Sequence, residues 1–192
     1  MTCELMPIEK LGVHEHLGFV DPQGRSVRSI FKLYPWEWMV HEDFSLAALD
    51  RMGDQPGQTQ WIEPVWKMMW SNKGILPVLW RLFPDHPNLL PAYFEGEEHN
   101  LKSFVRKPLL AREGANTEVV FAGNVVERGP DQEYGEEGFI VQQYADLGSY
   151  DGARPVLGVW TVDMEPAGLG IRESDGYITN NLSRFVPHVL VG

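Results

Sequence analysis

Residues 107–116, KPLLAREGAN, carry the side chains that phosphate chemistry asks for. Lys107 closes a strand-like run, Arg112 follows in a turn, and both neutralise negative charge. Gly114 and the small Ala115 and Asn116 let backbone N–H groups in such a turn point at an anion. An ordinary hairpin with a surface lysine and arginine has the same spacing, so this loop admits both readings. Residues 163–176, DMEPAGLGIRESDG, form a second candidate. Their glycines allow close backbone approach, and Arg172 is flanked by acids that either orient it or simply pair with it. A glycine-rich connector with a surface ion pair is the plainer alternative. His14 and His16 lie two apart and on a strand would share a face, but no third ligand accompanies them, and a solvated face is the simpler reading. The phosphate-binding G-x-x-x-x-G-K-[ST], the G-x-G-x-x-G turn, the G-x-S-x-G elbow and H-E-x-x-H are all missing from the sequence.

The elements that must position these residues are short. Apolar runs at 17–20 and 26–31 flank Asp21-Pro22-Gln23-Gly24 and predict a hairpin. From Pro35 to Met52 apolar residues recur at three- and four-residue spacing, which predicts an amphipathic helix stopped by Gly53. Residues 54–60 read as a surface loop. Two short helices are expected over 61–70 and 75–83, with Ser71 or Asn72 capping the second. Pro84, Pro87 and Pro91 then break the chain into turns. Strands are expected over 101–109, 118–126 with an interruption at Gly123-Asn124, 138–144, 156–162, 177–179 and 186–191. The expected class is therefore α+β, with a mostly antiparallel sheet in the second half, and any internal division falls near residues 95–100.

With 16 Lys+Arg against 27 Asp+Glu over 192 residues, the formal charge is −11, which argues against nucleic acid as a partner. No apolar run approaches the ~20 residues of a membrane helix, and no charged-then-apolar leader opens the chain, so the expectation is a cytoplasmic protein without a membrane partner. Cys3 is the sole cysteine and forms no internal disulfide.

These two loops, taken with SNKGILPVLW at 71–80 and LFPDHP at 82–87, resemble the glutathionylspermidine synthase family. FKLYPWE at 31–37, EPVW at 63–66 and GFIVQQY at 138–144 extend the resemblance in the same order, over most of residues 15–192. It implies a rearranged ATP-grasp fold, with residues 1–192 as the C-terminal part of a larger catalytic fold. It also implies the reaction: ATP phosphorylates the carboxylate of a glutathione-like peptide, and a spermidine-like polyamine displaces phosphate to give an amide. Carried over by matched position, Lys73 and Lys107 contact the ATP phosphates. Arg112, Gly114, Ala115 and Asn116 form a phosphate lid, and Gln142, Gln143, Tyr144 and Ala145 line the adenine side. Arg172 stabilises charge on the transferring phosphoryl group.

The sequence departs from the family pattern in two ways. Asn180 and Asn181 stand where the best-known member has a lysine pair, and Arg184 replaces an acid; TVDMEPAG at 161–168 and LSRFVPH at 182–188 instead resemble the shorter, amidase-free bacterial relatives. In the family the Mg2+ ligands come from an earlier part of the chain. Glu173 and Asn181 lack the close Glu-x-Asn spacing, so no metal site is assigned here, and the N-terminal part of the same ligase is the expected partner. The alternative to a ligase is a non-catalytic nucleotide- or polyamine-binding module, or an inactive fragment.

Overall fold

Frequent Pro and Gly keep most of the described elements short. Its computed structural model describes residues 3–53 and 55–189 and divides into two compact units, Met1–Ser71 and Asn72–Gly192. The division does not fall near residues 95–100, because Ala92–Phe94 pair with Ile140–Gln142 and tie that stretch to the following sheet. No helix of the described residues is long and apolar enough to cross a membrane.

The first unit runs β1 (Gly12–His14), β2 (Gly18–Val20), β3 (Ser29–Phe31), α1 (Trp36–Met39), α2 (Ser45–Asp50), β4 (Gln60–Ile62), a turn at Val65–Lys67 and α3 (Met68–Ser71). Its core is Phe19, Trp36, Met39, Ala48 and Trp61. The predicted 21–24 turn forms, with the Asp21 carboxylate accepting from the N–H groups of Gln23 and Arg25 at 2.9 Å each. The expected hairpin forms only next to that turn: further out β2 pairs with β1, and β3 runs parallel to β4, bringing Ile30 into register with the core residue Trp61. Beside the turn Val20 bridges to Ser26, the Asp21 N–H donates to the Arg25 carbonyl at 3.0 Å and the Val27 N–H to the Phe19 carbonyl at 2.8 Å. The predicted helix over 35–52 is split at 40–44, where the Tyr34 hydroxyl donates to Glu42 and the Ser45 N–H bonds back to the Glu42 carbonyl. Residues 61–70 begin as strand rather than helix, and helical structure starts only after Pro64, as a 3-10 turn over Val65–Lys67 that runs into α3. The loop expected over 54–60 starts at a residue outside those described.

In the second unit α4 (Ile75–Leu82) precedes β5 (Ala92–Phe94), β6 (Ser103–Pro108), β7 (Glu118–Phe121), β8 (Asn124–Arg128) and β9 (Phe139–Gln143). The expected Ser71 or Asn72 cap does not form: Gly74 is the N-cap of α4 with no side-chain capping bond, and Asn72 Oδ1 instead accepts from the Gly74 N–H at 2.8 Å in the turn just before the helix. The five strands form one antiparallel sheet in the order β5-β9-β6-β7-β8, with Val119, Val120, Ile140 and Val141 buried. The β7–β8 turn is closed by Ala122 and Gly123, both at positive φ.

A second antiparallel sheet, β10-β11-β12, follows from β10 (Arg154–Val162), β11 (Glu165–Ser174) and β12 (Arg184–Val186). The stretch expected as a glycine-rich loop is thus mostly a ten-residue strand, in which Gly170 sits opposite Gly158 and the ladder to β10 overrides the local turn signal. Residues 177–179 are not a strand; their amides are drawn to a side chain instead, as described below. Of the strand expected over 186–191, only Val186 lies in β12, and residues 190 and 191 fall outside those described. The class is mixed α and β with mostly antiparallel sheets and few helices, as expected.

Candidate functional site

Lys107 sits on β6 opposite Ile140, so Gln142, two residues along β9, shares its face of the sheet. Lys107 Nζ donates to Gln142 Oε1 at 2.8 Å. Lys73, just before α4, is fastened to the end of the same strand region: its N–H donates to the Leu109 carbonyl at 2.8 Å and its Nζ to the Ala111 carbonyl at 3.0 Å. Burial first, and then the nearby Lys73 charge, push the Lys107 ammonium down to about 8. The Lys73 charge is felt at Lys107, and two cations so placed attract negative charge.

The 112–116 loop leaves the Ala111 carbonyl that Lys73 holds. Its N–H groups at Ala115, Asn116 and Thr117 donate to the carbonyls of Arg112, Pro130 and Gly114, so these amides maintain the loop's own shape in this conformation. Asn116 is likewise engaged: its Oδ1 accepts from the Gln132 N–H at 2.9 Å and its Nδ2 donates to Asp131 at 3.3 Å. Ala115 is fully buried, and Arg112 is exposed. A Cβ on Gly114 would collide with Ile178, and one on Gly129 with the Gly114 carbonyl, so both glycines are what let the loop seat here.

Arg172 lies on β11, not on a loop. Its Nη2 lies 3.0 Å from Glu113 Oε2 and also donates to the Asn180 carbonyl, while the guanidinium carbon stands 5.4 Å from the centre of the Phe185 ring. The flanking acids suggested as partners are elsewhere. Glu173, the next residue on the strand, points to the opposite face, and Asp175 pairs with Arg184 at 2.8 Å.

On the expected adenine side, the Gln143 N–H donates to the Pro91 carbonyl and Tyr144 N–H to that of Ser103. The Tyr144 ring packs edge-on against Phe121 and Tyr177, at 4.9 and 5.9 Å between centroids, and Arg154 stands over Tyr177 at 4.2 Å. Ala145 is exposed.

The structure therefore groups Lys73, Lys107 and Gln142, and links them through the loop to Arg172. Sequence reasoning missed Glu113, although it lies between two residues that were singled out, and an acid inside a phosphate-type loop is itself a signal. It also missed Glu127, whose carboxylate accepts from the Tyr177 and Ile178 N–H groups at 2.6 and 3.1 Å and holds the segment against which the loop rests. A cavity of about 170 Å3 lined by Glu127, Asp175, Asn180 and Arg184 adjoins that segment, and a more open one of about 680 Å3 lies in the first unit by Glu15, His16, Asp50 and Arg51. Neither includes the lysine pair, so size and charge chemistry point to different places, and the half-buried cations are the chemically specific feature. His14 Nδ1 accepts from the N–H groups of His16 and Leu17 and so serves a turn. Among the described residues no three His, Cys, Asp or Glu side chains assemble as metal ligands.

Against known proteins, a family profile described as glutathionylspermidine synthase preATP-grasp matches residues 1–191. A Haemophilus influenzae protein provisionally named acid–amine ligase is 40% identical over 97% of this chain and 48% of its own length. Trypanothione synthetase of Crithidia fasciculata is 31% identical over 86% of this chain and 28% of its own length. The bifunctional glutathionylspermidine synthetase/amidase of Escherichia coli is 27% identical over 99% of this chain and 34% of its own. The chain thus spans about half the length of the first of these relatives and about a third of the others.

Proposed function

The chain belongs to the glutathionylspermidine synthase family, and from that premise we propose that it supplies the nucleotide-binding part of an ATP-grasp ligase, one that joins a carboxylic acid to an amine. The observation that carries the reading is the Lys73–Lys107 pair, whose mutual repulsion and burial are relieved by a polyphosphate. When bound, ATP supplies the phosphoryl group that activates the carboxylate. Lys107, kept in place by Gln142, and Lys73, anchored at Leu109 and Ala111, hold phosphate oxygens and offset their charge. Arg172 offers a planar fork to charge developing on the transferring group. The 112–116 loop, which leaves the Ala111 carbonyl held by Lys73 and is fixed beyond Glu113 by the Asn116 contacts, is suited to keep water from an acyl phosphate. Gln142 to Ala145 lie where β9 ends, on the adenine side in this reading. The described residues offer no ligand cluster for Mg2+, and no step is assigned to one.

The acid is a glutathione-like peptide and the amine a spermidine-like polyamine, a cation that suits the −11 charge. With ATP, Mg2+, glutathione and spermidine the protein is expected to release ADP and phosphate together with an amide. Arg172→Ala is expected to remove turnover while ATP still binds. A normal rate in that variant would sink the role given to Arg172. ATP bound but never turned over with any peptide and amine would favour a binding module instead.

A further inference from the structure

Arg172 is met by a carboxylate from the very loop that is read as a phosphate lid. Glu113 Oε2 lies 3.0 Å from Nη2, and the same nitrogen donates to the Asn180 carbonyl. Arg172 Nε is buried and makes no hydrogen bond among the described residues. A buried donor without an acceptor is uncommon in folded proteins and marks a place where an acceptor belongs. Glu113 reaches its position from φ +50°, a conformation that costs a residue with a side chain. Its ion pair is only partly shielded, with side chains 26% exposed for Arg172 and 38% for Glu113, so the contact is accessible to solvent and weak enough to exchange.

We propose that Arg172 heads an oxyanion subsite whose occupant in this structure is the Glu113 carboxylate, and that an incoming phosphoryl or carboxylate group of a substrate displaces it. The inference deepens the ligase reading and rests on it for the class of ligand. Carboxylate and phosphoryl oxygens present the same acceptor geometry to a guanidinium, so one can occupy the other's place. Displacement frees the loop at Glu113 while Lys73 still holds its start at the Ala111 carbonyl. Ligand arrival at Arg172 is thereby coupled to release of one end of the loop. The Asn180 carbonyl and the Phe185 ring keep the guanidinium in place during the exchange.

The test is a double-mutant cycle read by calorimetry, with ATP and, separately, glutathione as the tripeptide carboxylate. Glu113→Gln keeps the size of the side chain and removes its charge. It is expected to tighten one of the two probes about fivefold, the scale of a partly exposed ion pair. In an Arg172→Gln background the same change is expected to have no effect. The probe that gains identifies the source of the oxyanion. Glu113→Asp, which keeps the charge on a shorter stem, is expected to give a smaller gain, and it supplies the comparison should Glu113→Gln fold poorly. The proposal is overturned if neither probe tightens, or if the gain persists without Arg172. Wild-type ATP binding with no gain in any variant removes the subsite and leaves the ligase reading. A glutathione gain in a protein that does not bind ATP keeps the subsite and removes the nucleotide reading.

Discussion

Replacing Lys73 by methionine tests whether the two lysines form one electrostatic unit. Lys107 is held at about 8 against an ordinary 10.5, which corresponds to roughly 3 kcal/mol of preference for the neutral amine at about 1.4 kcal/mol per tenfold. Burial is the larger cause and the Lys73 charge the smaller. The variant should therefore move Lys107 upward but stop short of 10.5. Lysine labelled with 13C at Cε, followed by NMR from pH 6 to 11, reads the titration directly, with Lys107→Met to assign the resonance. The same group links stability to pH. Its folded value lies below its unfolded one, so between about 8 and 10.5 the unfolded chain binds more protons and stability rises with pH. The full penalty is present below about pH 8, and Lys107→Met should flatten the rise by up to about 3 kcal/mol. A wild-type Lys107 titrating near 10, or one that does not respond to loss of Lys73, would refute the reasoning.

Other expectations follow from single contacts. Glu127→Ala strips the acceptor from the Tyr177 and Ile178 N–H groups and should cost about 2–4 kcal/mol, seen as a lower midpoint in denaturant; an unchanged midpoint would mean that water replaces the carboxylate. Gly129→Ala places a methyl group into the Gly114 carbonyl and should unseat the 112–116 loop. Trypsin should then cut after Arg112 about tenfold faster than in the parent, and equal rates would show that the loop does not depend on that glycine. Gln142→Leu leaves the Lys107 ammonium without its 2.8 Å acceptor and should lower the Lys107 titration further, by the same NMR readout.

Much of the candidate site was legible because cations beside glycine are conspicuous in a chain of net charge −11. Lys107 and Arg172 were picked out as residues of the right type and Lys73 through the family resemblance, but their partners were not, since those come from distant parts of the chain. Glu113 lies 59 residues from Arg172 and Glu127 lies 50 from Tyr177, and no local pattern encodes such pairs. Four strands of the five-stranded sheet, β6 to β9, were readable as strand-like runs and from the turn at Gly123; β5 was not, because Pro84, Pro87 and Pro91 mark that stretch as turns. β11 was not, because Pro166, Gly168 and Gly170 signal a loop, and only the ladder to β10 makes them extended. The helix expected from Pro35 to Met52 has the right periodicity, but a bond from Tyr34 to Glu42 interrupts it, and side-chain bonds of that kind leave no trace in hydrophobic spacing.

The central claim is that this chain holds ATP on the Lys73–Lys107 pair. Calorimetry of ATP binding at pH 8, repeated in buffers of different ionisation enthalpy, tests it most directly. Phosphate beside Lys107 restores its proton, so binding should take up protons from the buffer, and Lys107→Met should lose both the uptake and at least about tenfold in affinity. No ATP binding, or binding by Lys107→Met with undiminished affinity and the same proton uptake, would contradict the account.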